Sequence, residues 1–102
     1  MVYFIVDRTM SNNKYMVRPN LPLLPIESLK GSFNVLAARV INLSYASYLR
    51  MCRDLYGAEI IGKNHKYCIA FFNSPSDAQP LLDELNKRVK IILKEREKKN
   101  GN

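Results

Sequence analysis

The side chains able to do chemistry are few and scattered. One histidine, His65, stands in a polar stretch beside Lys63 and Lys66. A lone turn histidine lacks the oriented partners of a general base and reads as a solvated residue. The two cysteines, Cys52 and Cys68, sit in apolar surroundings and read as buried free thiols. Two are too few for a disulfide framework. A metal site needs three or four ligands at workable spacing, and Cys52, Cys68 and His65 do not supply one. Gly31, Gly57, Gly62 and Gly101 are dispersed as turn or cap residues and form no phosphate-binding loop. No pair of carboxylates is arranged for hydrolysis. The sequence therefore predicts no catalytic residue, no metal and no cofactor, and an enzyme is the least supported class.

Charge is the stronger signal. Lys plus Arg number 16 against 9 Asp plus Glu, a formal charge of +7 over 102 residues. A basic chain of this size meets nucleic acid, an acidic protein or an anionic surface. Apolar residues at 47% are enough for a folded domain rather than a disordered chain. No apolar run approaches the ~20 residues of a membrane span. Val2 to Val6 is short, with no basic region before it and no cleavage site after it. The expectation is an intracellular, cytoplasmic protein. Asn42-Leu43-Ser44 matches a glycosylation sequon, which on such a chain is chance.

These residues need elements to position them. Met1 to Asp7 reads as a strand rich in β-branched and aromatic residues, Ser11-Asn12-Asn13 as a turn, and Tyr15 to Arg18 as a returning strand. Pro19, Pro22 and Pro25 recur every three residues. That spacing suits an extended polyproline II path, read as a stiff connector whose Leu21, Leu23, Leu24 and Ile26 pack on the core. A polyproline ligand is the alternative.

Ser32 to Tyr56 reads as one long amphipathic helix stopped at Gly57. At 3.6 residues per turn, Phe33, Ala37, Val40, Ile41, Ser44, Tyr48, Met51 and Leu55 share its core face, and Arg39, Arg50 and Arg53 share the opposite one. Ala58 to Ile61, a turn at residues 62–65 and Lys66 to Phe72 read as a hairpin. A second helix follows. Asp77 is the preferred N-cap, because Pro80 then falls in the first turn; Ser74 as cap would leave Pro80 breaking one helical bond. The helix is expected to reach about Lys94, with residues 95–102 as a frayed basic tail. A strand from Val89 is the alternative, since Val89, Ile91 and Leu93 alternate with lysines.

The segment His65-Lys66-Tyr67-Cys68-Ile69-Ala70-Phe71-Phe72, followed by Ser76-Asp77-Ala78 and Leu81-Leu82-Asp83-Glu84-Leu85-Asn86, resembles the third strand and second helix of an RNA-recognition-motif domain. Leu55-Tyr56-Gly57-Ala58-Glu59-Ile60 is similar to the junction before that family's second strand, and Val2 to Val6 to its first. The resemblance implies a ferredoxin-like sandwich, with Tyr3 and Tyr67 as base-stacking aromatics and Lys66 near phosphate. Lys66 stands where the family has a small glycine, and Ile69 where it has a second aromatic.

The expected architecture is a single α+β domain over residues 1–94: a small antiparallel sheet with two long helices on one face. The other sheet face, with Tyr3, Ile5, Tyr67, Ile69 and Phe71, needs a cover: the proline connector, a second protomer or stacked bases. The expected function is a non-enzymatic module for nucleic acid or a nucleoprotein complex. Arg39, Arg50, Arg53, Lys63 and Lys66 would meet phosphates, and Tyr3, Tyr67 and Phe71 would stack or pack. The alternative is a protein-interaction subunit, a homodimer or an inhibitor of a partner enzyme, acting through the apolar sheet face. The terminal run Lys87, Arg88, Lys90, Lys94, Arg96, Lys98 and Lys99, offset by Glu95 and Glu97, reads as a solvated helix face or as a polyanion grip.

Overall fold

Alternating apolar residues near the N-terminus pair as expected, within slightly different bounds. In the computed structural model, which describes residues 2–9, 13–24, 33–62 and 68–100, strand β1 runs Phe4–Arg8 and β2 runs Tyr15–Pro19. They are antiparallel, with Phe4 opposite Pro19 and Val6 opposite Val17. Phe4, Val17 and Pro19 are buried together on one face. Asp7 and Arg18 lie on the other, where the guanidinium Nε donates to the carboxylate at 2.6 Å. The polyproline II reading of the next residues fails at 21–23, which turn so that the Leu24 N–H donates to the Asn20 carbonyl at 3.2 Å. Leu21 and Leu23 are exposed there rather than packed, and of the described leucines in this group Leu24 leans on the core. Pro25 and Ile26 lie outside the described residues.

The long helix is two helices, α1 Phe33–Ile41 and α2 Tyr45–Tyr56. The break is made by polar residues, without proline or glycine. Asn42 takes a left-handed φ of 64°, its N–H donates to Arg39 O at 3.0 Å, and the Leu43 N–H donates to Ala38 O at 2.9 Å. This pair of bonds is a Schellman stop with asparagine in place of the usual glycine. Ser44 then caps α2, its Oγ accepting from the Ser47 N–H at 3.2 Å. Ala37, Val40, Ile41 and Tyr48 do face the core, joined by Leu36, Ala38, Leu49 and Cys52. Ser44 is exposed as the cap, and Leu55, expected inside, is 74% exposed. Gly57 ends α2 at φ 72° with open space where a Cβ would sit. Gly57→Ala should therefore cost only the left-handed penalty, about 1–2 kcal/mol, with no steric rearrangement. A loss near zero or above 3 kcal/mol in urea denaturation would contradict this account.

Strands β3 Glu59–Ile61 and β4 Ile69–Phe71 form the second antiparallel hairpin. The two hairpins are separate two-stranded sheets. One bridge joins them: the Tyr15 N–H donates to Phe72 O at 2.9 Å, and the Phe72 N–H donates to Tyr15 O at 2.7 Å. Beside it, the Lys14 ammonium reaches Asn73 Oδ1 and Glu59 Oε2, each at 2.8 Å.

Helix α3 spans Pro75–Asn100, 26 residues. Its cap is Ser74, not Asp77: Ser74 Oγ accepts from the Asp77 N–H at 3.2 Å, and Pro75 takes the first helical position. Pro80 consequently lies inside the helix and removes one bond on its exposed side, a loss water can make good. The terminal-strand alternative is excluded, and residues 95–100 continue the helix rather than fray. Ala78, Leu81, Leu85 and Val89 repeat at helical spacing and are completely buried.

The protein is thus α+β, with two small antiparallel sheets and three helices among the described residues, in the order ββααββα. The ferredoxin-like order implied by the resemblance is βαββαβ. α3 packs on β1, β2, α1 and α2, while α2 packs on β3 and β4, so the core lies between the helices and the strands.

Candidate nucleic-acid interface

The arginines predicted as one stripe are exposed, but the helix break divides them. Arg39 lies in the last turn of α1, while Arg50 and Arg53 share the solvent face of α2. The angular placement that united all three assumed a continuous helix, and the Asn42–Ser44 break removes that continuity. Arg50 donates weakly to Ser47 Oγ at 3.3 Å. Arg53 forks onto its neighbour Asp54 at 2.9 and 3.4 Å. That hydrogen bond and charge hold the guanidinium pKa above its ordinary value and the Asp54 carboxyl below its own. Both groups are fully in solvent, so the pair adds little to stability.

The aromatic candidates lie elsewhere. Tyr3 is 7% exposed and belongs to the core, so it offers no ring to a base. Phe71, at 9%, is buried as well. Alternation does not decide their burial, because Phe4 beside Tyr3 and both Ala70 and Phe72 beside Phe71 are buried too. Lys63, His65, Lys66 and Tyr67 lie outside the described residues.

Tyr3 and Phe4 are fastened by a residue that the sequence reading did not single out. Asn86 of α3 accepts from both backbone N–H groups through Oδ1, at 2.9 and 2.8 Å. Its Nδ2 donates to Phe4 O at 3.4 Å. An asparagine among helix-surface polar residues carries no sequence signal for this contact across 83 residues.

The thiols and phenols of α2 form an inward cluster. Burial pushes the Cys52 thiol up to about 11 and holds the Tyr48 phenol well above its usual value, with the neighbouring Cys52 adding to the latter. Burial also pushes Tyr45 up to about 12, and its hydroxyl donates to Cys68 O at 2.5 Å. A thiol so disfavoured as thiolate is a poor nucleophile. The gap between β2 and β4, lined by Met16, Val17, Tyr45 and Ala70 among others, holds about one water and no larger ligand. Among the described residues, no three metal-ligating side chains converge.

No family model matches this chain, and no curated protein or solved structure matches it either.

What the geometry brings outward is cationic. Besides the arginines, Lys87, Arg88, Lys90, Lys94, Arg96 and Lys98 are exposed along α3. Their spacing was readable in the chain, but the helix that gives it meaning had an ambiguous end. No helix among the described residues is long and apolar enough to cross a membrane.

Proposed function

We propose that this protein is a non-enzymatic, intracellular nucleic-acid-binding module that grips the phosphate backbone. The observation that carries this reading is the separation of side-chain types. Described arginines and lysines are exposed on the helices, whereas Tyr3 and Phe71 are packed inside. Among the described residues such a surface supplies charge without Tyr3 or Phe71 as stacking platforms, and charge alone yields affinity that is largely independent of sequence. Arg39, Arg50 and Arg53 contribute phosphate contacts, with Lys63 and Lys66 as further candidates.

The test is a fluorescence-anisotropy titration of the full chain against labelled oligonucleotides at low and near-physiological salt. Submicromolar binding that persists at the higher salt supports the proposal. Failure to bind at low salt overturns it and moves the weight to a protein partner. R50E/R53E is expected to weaken binding at least tenfold while leaving the circular dichroism spectrum unchanged. Affinity within twofold of the parent would remove both arginines from the interface.

A further inference from the structure

The expected frayed tail is instead the last part of a rod. At 1.5 Å per residue the 26 residues of α3 extend for about 39 Å, most of the 48 Å long dimension of the molecule. Its last completely buried residue is Val89, and every side chain from Lys94 to Lys98 is exposed. Lys87, Lys90, Lys94 and Lys98 recur at intervals of three and four residues. Around the helix axis they fall within an arc of roughly 80°, opposite the core line of Ala78, Leu85 and Val89. Glu84, Glu95 and Glu97 flank this edge, and Arg88 engages Glu84 at 2.8 Å. Asp83 lies on the line itself, one turn before Lys87, and accepts from Gln79 at 2.8 Å, so the cationic run begins at Lys87.

We infer that this lysine edge is the principal phosphate-binding surface and that its ligand is duplex rather than single-stranded nucleic acid. The inference rests on the nucleic-acid reading above and deepens it. Four ammonium groups follow a straight line of roughly 16 Å on a rigid support. A duplex presents charge at regular intervals along its own straight axis, about one per 1.7 Å. Single strands are held by grooves with aromatic platforms. No aromatic residue occurs between Pro75 and Asn100. Ile91, 44% exposed, lies beside the edge and adds an apolar contact there.

The experiment compares the parent chain, K87Q/K90Q/K94Q/K98Q and K87R/K90R/K94R/K98R on a labelled duplex and on its separate strands from 50 to 200 mM salt. Neutralising four phosphate contacts should flatten the slope of log K against log salt by about 3.6. Over that salt range this is a difference of about 150-fold in salt sensitivity. The arginine variant should bind like the parent, and the parent should favour duplex over single strand. If the parent binds and the glutamine variant keeps its slope, the inference fails while the nucleic-acid reading stands. Preference for single strands also overturns it, as does equal competition by polyglutamate, which assigns the edge to an acidic protein. If the parent binds no nucleic acid, both fail together. Circular dichroism of each variant confirms that the helix persists.

Discussion

Replacing Asn86 with alanine is expected to destabilise the folded chain by roughly 2–4 kcal/mol. One amide oxygen accepts from the N–H groups of Tyr3 and Phe4, residues that are 7% and 0% exposed. Removing it strands two donors where water has little access, and each buried unsatisfied group costs about 1–3 kcal/mol. The loss of the weaker bond from Nδ2 to Phe4 O adds less. For a domain of this size each kcal/mol lowers the melting temperature by about 4–8 °C, so the midpoint should fall by at least about 8 °C. Asn86→Asp keeps the acceptor and should retain most of the stability. Equal losses for alanine and aspartate in thermal unfolding would show that the acceptor oxygen is not what holds β1 to α3.

Stability should also collapse in alkali earlier than lysine neutralisation alone would bring. The Cys52 thiol is pushed from 9.0 to about 11 and the Tyr45 phenol from 10.0 to about 12, while Tyr48 is held well above 10.0. These groups are neutral when protonated, and burial is the first cause of each shift. The unfolded chain therefore releases these protons at lower pH than the folded chain does. Their stabilising contribution is complete below about pH 9 and is lost as pH rises through the folded values. Between about pH 10 and 11 the unfolded state holds fewer of these protons than the folded state, so stability falls as pH rises through that interval. Tyr45 is partly open to solvent and supplies the smaller share. Urea midpoints measured from pH 8 to 11 should fall steeply over the last unit, and Cys52→Ala should soften the fall. A midpoint that stays level to pH 11 would rule out a buried thiol–phenol cluster.

The parts of the fold visible in the chain are those set by local periodicity. Ala37, Val40, Ile41 and Tyr48 are core residues because an amphipathic repeat needs only its own spacing. The break between them was hidden because Asn42 and Ser44 stop and start helices through hydrogen bonds that a hydrophobic count does not register. The Ser74-Pro75 pair is a plain helix-start signal, and Pro80 does not oppose it because its lost bond lies on a wet face. Tyr3 and Phe71 look like surface aromatics from alternation alone. Their burial depends on which helices cover the strands, and that is a tertiary fact. The cations of the proposed interface were legible as charge, but their alignment on α3 required knowing that the helix continues to Asn100.

The long reach of Asn86 back to β1 also sets an order of events in time. The strand whose amides it receives leaves the ribosome 82 or 83 residues before it does. Contacts of such sequence separation slow folding, because a large loop must close before any bond rewards it. The first hairpin must therefore wait, marginal on its own, until Asn86 of α3 has been synthesised. During that interval its apolar strands are open to wrong pairing and to capture by any chaperone that binds unpaired strands.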